Sequence, residues 1–181
     1  MVYFILAAFI VLLDQMSKYY LALRLAPGKT AALLPGILHM TYVKNTGAAF
    51  SFLSDMRWVL VAVSAAVIIL IVIIMLRYGQ KMSLVGRLGL AFVLGGAFSN
   101  LIDRVALGYV ADFFEFEFVR FAIFNVADIF ITVGGMVFCL YYIFGMPRSD
   151  LKKAQNGASA SPSTCDAHED DVEDGSGPDH S

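Results

Sequence analysis

Two uninterrupted apolar runs constrain this chain more than any other feature. Trp58–Leu76 runs 19 residues without a charge, and Ile129–Met146 runs 18. A helix of about 20 mostly apolar residues spans the hydrocarbon core of a bilayer, whereas buried core helices are shorter and amphipathic. Two more segments come close. Met82–Ile102 is apolar apart from Arg87, and the stretch from Val2 to Leu25 is broken only by Asp14, Gln15 and Lys18. Composition agrees: hydrophobic residues make up 59% of the 181 and charged residues 15%. A soluble domain is nearer half apolar and a quarter charged. The expectation is an all-α polytopic membrane protein with four spans, at about 2–25, 58–76, 82–104 and 128–146. The first span is read as a retained helix, not a cleaved leader, because it lacks a basic start and Asp14 interrupts its apolar run. With no lipobox-like cysteine after it, the chain is not expected to be a lipoprotein itself.

Orientation follows from basic residues near span ends. Arg77, Lys81 and Arg87 crowd the short link between the second and third spans, and Arg148, Lys152 and Lys153 follow the fourth. Both stretches read as cytoplasmic, so both termini are expected inside and the two longer links outside. Those links carry strand signals. Ile37–Lys44 (ILHMTYVK) suits a short strand, and Phe113–Phe118 (FFEFEF) alternates Phe with Glu at period two. From Ser149 onward eight acids meet two bases, among Ser, Ala, Gly and Pro. Such a tail has little to bury and is expected to be disordered and cytoplasmic. Residues 1–148 form the one folded domain, with seven acids and eleven bases.

Those seven acids are informative. Asp55, Glu115 and Glu117 fall in outer links, where solvation is the default. Asp14, Asp103, Asp112 and Asp128 lie in or beside spans, where a carboxylate is costly and marks function. With the orientation above, Asp14, Lys18, Asn45, Asn100, Asp103, Arg104, Asp112, Asn125 and Asp128 all gather at the outer surface. Asp112 and Asp128 share a frame, VADFF at 110–114 and VADIF at 126–130. Two carboxylates a few ångström apart share one proton, and such a pair can activate water and protonate a leaving amine. The plainer alternatives are solvated acids at span ends, an Asp14–Lys18 pair at i, i+4 that merely neutralises itself, and asparagines that cap loops or helices. Gly95–Gly96 and Gly134–Gly135 read as packing devices between spans.

Other chemistries are poorly supported. The body has one histidine, His39, which argues against Ser-His-Asp catalysis and a His-bearing zinc site. Two cysteines, Cys139 and Cys165, cannot build a disulfide framework. A magnesium site on Asp112 and Asp128 alone is weak, and no phosphate-cradling glycine loop or basic nucleic-acid stripe is present. Two rivals stay open: a Ser/Lys peptidase using Ser51 with Lys44, and a proton-coupled carrier using the carboxylates as a relay.

Three blocks carry a family resemblance: VKNTGAAFSFL at 43–53, GGAFSNLIDRVALGYVADFF at 95–114 and FNVADIFITVG at 124–134, with LDQMSK at 13–18 as a fourth. In order and spacing they resemble lipoprotein signal peptidase (signal peptidase II), over nearly all of residues 1–148. The resemblance implies a four-helix membrane bundle with a small extracytoplasmic β-cradle. It also implies an aspartyl endopeptidase of the bacterial inner membrane, acting at the periplasmic face. Its substrates would be prolipoproteins carrying diacylglyceryl-cysteine, cut just before that cysteine. By motif position Asp112 and Asp128 resemble the catalytic pair. Asn45, Gly47, Asn100, Arg104, Asn125, Asp14 and Asp103 resemble residues that bind substrate or order the site. No metal or organic cofactor is implied, and the partners are substrate and membrane lipids around a monomer. Ser99 departs from the pattern, which has Gly before Asn100.

Overall fold

The computed structural model describes residues 1–25, 30–47 and 56–145. Part of the 43–53 motif including Ser51, the solvated-acid reading of Asp55 and the acidic tail all lie outside these residues. Among them, four helices are long and apolar enough to cross a membrane. These are α1 (Val2–Arg24), α2 (Arg57–Tyr78), α3 (Leu84–Ala106) and α4 (Val126–Leu140), the last running on through a π turn at Tyr141–Gly145. Three strands, β1 (Thr30–Leu34), β2 (Leu38–Asn45) and β3 (Val110–Phe116), form an antiparallel sheet in that order. The architecture is the expected helical membrane fold with a small sheet. β1 was not foreseen, because TAALL is short and has no alternation to read.

α3 is the centre of the bundle and packs on each of the other three helices. Its sequence shows why. Gly95 lies against the Ala7 carbonyl and Ile10 of α1, while Gly89 and Gly96 lie against α4, at the Gly134 and Ala127 carbonyls. Without a hydrophobic drive between helices in lipid, close backbone approach over small residues holds such contacts together. Gly134 answers from α4, where an added Cβ would lie 2.6 Å from the Gly89 carbonyl. Gly135 does not share this role: nothing among the described residues lies within 4 Å of where its Cβ would stand. On the other side α2 adds Ile68, Ile71 and Met75 to a core with Leu90, Ala91 and Leu94. Phe9, Leu23, Val63, Leu70, Met136 and Leu140 are exposed on the outer faces, as lipid-facing side chains should be.

Two connections position the site. At the end of α3, Leu107 and Gly108 both donate backbone N–H to the Asp103 carbonyl, and Gly108 takes φ +85°. That left-handed conformation suits glycine at a helix end and turns the chain straight into β3. Arg57, the first residue of α2, donates from its guanidinium to the Arg104 and Val105 carbonyls at 2.7 and 2.6 Å, completing the end of α3. After β3 the chain loops back until Phe124 pairs with Phe114. Asn125 and the start of α4 are thereby held beside β3.

β3 begins three residues before the FFEFEF run. Its first four residues are all buried, so it lacks the half-buried alternation expected of it. The cause is its place between sheet and bundle: Phe113 packs with Leu21 and Leu25 at the end of α1, while its neighbour Asp112 points the other way.

Candidate active site

Asp112 sits on β3 opposite Val43 of β2, and Asn45 sits opposite Val110. Positions 43 and 45 share a face of the strand, so Asn45 and Asp112 are diagonal neighbours on one side of the sheet. Asn45 Nδ2 donates to Asp112 Oδ2 at 2.8 Å. The Gly47 backbone N–H donates to Asn45 Oδ1 at 2.9 Å, which fixes the amide with its NH₂ toward Asp112.

Asp128 occupies the third position of α4, and Asn125 caps that helix. Asn125 Oδ1 accepts from the Asp128 N–H, and the Asn125 N–H donates back to Asp128 Oδ2 at 3.1 Å. This reciprocal arrangement is a capping box, written here with Asn and Asp. The Asn125 side chain also donates to Asp112 Oδ1 at 2.6 Å and to Asn100 Oδ1 at 3.2 Å. One residue thus ties together carboxylates from a strand and a helix. Asn100 Nδ2 donates to Asp128 Oδ1 at 2.8 Å.

Behind these lies a buried ion cluster. Lys18 Nζ is 2.6 Å from Asp14 Oδ2, 2.7 Å from Asp103 Oδ2 and 3.0 Å from Asn100 Oδ1. Asp14 Oδ1 accepts from the Ala127 N–H at 2.8 Å, so an α1 side chain satisfies a free amide in the first turn of α4. The i, i+4 pairing of Asp14 and Lys18 exists, but it is only one edge of a network joining α1, α3 and α4.

Asn45, Asn100, Arg104, Asp112 and Asp128 line one cavity of about 440 Å³, whose other walls include Phe116, Phe124, Ile129 and Val133. Arg104 Nε is buried there with no hydrogen-bond partner among the described residues. Asp112 is 2% exposed. Burial pushes its carboxyl up to about 6, helped by the negative charge of Asp128 and opposed by the Asn45 and Asn125 amides and the charge of Lys18. A cavity lined by two acids, a cation and apolar walls can hold a peptide carbonyl and a water.

Of the candidate residues, Asp14, Asn45, Asn100, Asp103, Asp112, Asn125 and Asp128 join one hydrogen-bonded network, Gly47 orients Asn45, and Arg104 enters by lining the cavity. Sequence reading missed Gln15 and the reach of Lys18. Lys18 shares a helix face with Asp14 at i+4 and lies i+3 from Gln15, which was the available signal. His39 lies apart, 3.3 Å from Glu117. Lys44 holds its ammonium 5.0 Å from the centre of the Tyr109 ring. No group of three or more His, Cys, Asp or Glu suited to a metal ion occurs among the described residues.

Comparison with known proteins gives the family. The family model described as Signal peptidase (SPase) II matches residues 6–144. Lipoprotein signal peptidase of Brevibacillus brevis is 44% identical over 132 residues, which cover 73% of this chain and 88% of the relative. The Enterococcus faecalis enzyme of that name is 39% identical over 158 residues, covering 87% and 96%. The Nostoc punctiforme enzyme is 45% identical over 146 residues, covering 78% and 89%. A solved structure described as a bacterial membrane enzyme at 1.9 Å resolution superposes with a TM-score of 0.73 at 28% identity, covering 80% of this chain and 94% of that one. This multi-pass bacterial membrane protein belongs to the signal peptidase II family.

Proposed function

We propose that this chain removes signal peptides from prolipoproteins, using Asp112 and Asp128 to cut the bond before a diacylglyceryl-modified cysteine. The observation that carries the reading is the bridge made by Asn125, which holds both carboxylates at the wall of one cavity. The basic links at Arg77–Arg87 and after the fourth span favour cytoplasmic termini. The site then opens at the periplasmic face of the inner membrane, where water is available. The signal segment would lie among the helices with its acyl chains in lipid. All the site residues come from one chain, in keeping with a monomer.

The pair carries one proton. The ionised carboxylate takes a proton from water as the water oxygen bonds to the scissile carbonyl carbon. The protonated partner gives its proton to the carbonyl oxygen, leaving a neutral diol. Each carboxyl has then exchanged its role. The new carboxylate takes a proton back from the diol while its partner protonates the amide nitrogen, and the C–N bond breaks. The products are the signal peptide's carboxyl terminus and the free amine of the lipidated cysteine. Arg104, its Nε without a hydrogen-bond partner among the described residues, is suited to hold a substrate carbonyl.

The test is cleavage of a diacylglyceryl-modified prolipoprotein by purified protein in detergent with EDTA. Wild type is expected to cut before the lipidated cysteine, while Asp112→Asn and Asp128→Asn stay folded and lose at least about a thousandfold in rate. Near-normal activity in either variant sinks the carboxylate assignment. A folded wild type that does not cut this substrate sinks the function.

A further inference from the structure

Ser99 and Gln15 are not used by the chemistry above, yet they are built into its support. Ser99 is fully buried in α3. Its Oγ donates to Asp14 Oδ2 at 2.7 Å and accepts from Gln15 Nε2 at 3.0 Å. The same Gln15 amide donates to Asp103 Oδ1 at 2.8 Å. Two uncharged side chains thus give donors to both carboxylates that hold Lys18.

That supply matters because two acids compete for one ammonium. Lys18 has three N–H groups, used on Asp14, Asp103 and Asn100. In a buried site a carboxylate short of donors draws the cation to itself. The Ser99 hydroxyl and the Gln15 amide meet part of that demand and leave the third ammonium N–H for Asn100. With its Oδ1 held by Lys18 and Asn125, Asn100 must aim its NH₂ at Asp128. Asp14, steadied by Ser99, also holds the Ala127 N–H one residue before Asp128. Both routes converge on the first turn of α4.

We propose that Ser99 and Gln15 are positioning residues for the Asp112–Asp128 pair, acting through Lys18 on Asn100 and through Asp14 on the start of α4. The proposal rests on the functional reading above in taking those two acids as the reactive pair. A structural role alone predicts a lower melting temperature and nothing more. Positioning predicts a change at the pair itself. The charged groups facing Asp112 are Asp128 from α4, Lys18 from α1 and Arg104 from α3. If Lys18 retreats from Asn100 toward Asp14 in Ser99→Ala or toward Asp103 in Gln15→Met, its positive charge helps the Asp112 carboxylate less, and Asp112 keeps its proton to higher pH.

The experiment uses the full chain in detergent micelles as wild type, Ser99→Ala and Gln15→Met. Aspartate carboxyls carry ¹³C, and the Asp112 signal is assigned by its loss in Asp112→Asn. Titration is followed by NMR, alongside kcat and KM on a lipidated prolipoprotein. The expected result is an upward move of the Asp112 midpoint by about half a pH unit or more in both variants. With it, kcat falls about tenfold at nearly unchanged KM. Variants that only melt lower, with the wild-type midpoint and kcat, overturn the proposal. If the midpoint moves but wild type does not cut, the coupling stands and the functional reading fails. If wild type cuts and neither variant shifts or slows, the coupling fails alone. Should one variant not fold, the other carries the test, since Gln15 is only half-buried and Ser99→Ala removes a single oxygen.

Discussion

Asn45 shows how one amide sets the chemistry of a neighbouring acid. Its hydrogen bond to Asp112 Oδ2 favours the ionised form and works against the burial that lifts this carboxyl to about 6. In Asn45→Ala the donor is gone, so the proton is held more tightly and Asp112 titrates above 6. The limb of the pH profile of kcat/KM that reports Asp112 should therefore move to higher pH; a limb that stays in place would show that Asn45 does not act on this acid. Lys18 is the second residue whose removal has a readable consequence. Lys18→Met leaves Asp14 and Asp103 as two buried carboxylates without their cation. Breaking a buried pair in this way costs about 3–5 kcal/mol, so thermal unfolding in detergent should fall sharply. A melting temperature within a few degrees of wild type would show that the Lys18 ammonium does not hold this cluster together.

At the scale of elements, the contact between α3 and α4 decides whether Asn100 and Asp128 meet. It is made over Gly89, Gly96, Ala127 and Gly134, so the axes can lie close enough for a short amide to bridge them. Gly134 and Gly135 are adjacent and look alike in sequence, which makes them a matched test. A methyl group on Gly134 meets the Gly89 carbonyl and Phe92 Cβ, both at 2.6 Å, whereas one on Gly135 meets nothing within 4 Å among the described residues. Gly134→Ala should cost about 1–3 kcal/mol and lower activity with it. Gly135→Ala should be neutral or slightly stabilising, since alanine is the better helix former. Equal effects in a thermal-melt comparison would remove the close packing as the explanation. The two VAD frames belong to this scale too. VADFF is a strand and VADIF opens a helix, because Gly108 and the Phe124–Phe114 pairing, not the pentapeptides, set the backbone on either side.

For the whole molecule, the family match ends at residue 144 and every residue of the proposed site lies before it. Removing residues 152–181 is therefore expected to leave cleavage of a lipidated prolipoprotein at the wild-type rate; a well-folded truncated protein without activity would give the acidic tail a role. Four spans were legible in the sequence because bilayer thickness demands long apolar runs, and a run such as Trp58–Leu76 has no other use. The acids were legible for the same reason in reverse. Asp14, Asp103, Asp112 and Asp128 are too costly near lipid to be incidental, and the local motifs around them carried the resemblance to signal peptidase II. What the sequence could not supply was the wiring. That Asn125 both caps α4 and reaches Asp112, that Ser99 holds Asp14 from 85 positions away, and that Asn100 accepts a hydrogen bond from Lys18 and donates one to Asp128 depend on which atoms face one another across three helices and a sheet. Hydrogen bonds act over about 3 Å. Apolar length and local motif are written along the chain, but contact at that distance is decided only when the helices pack.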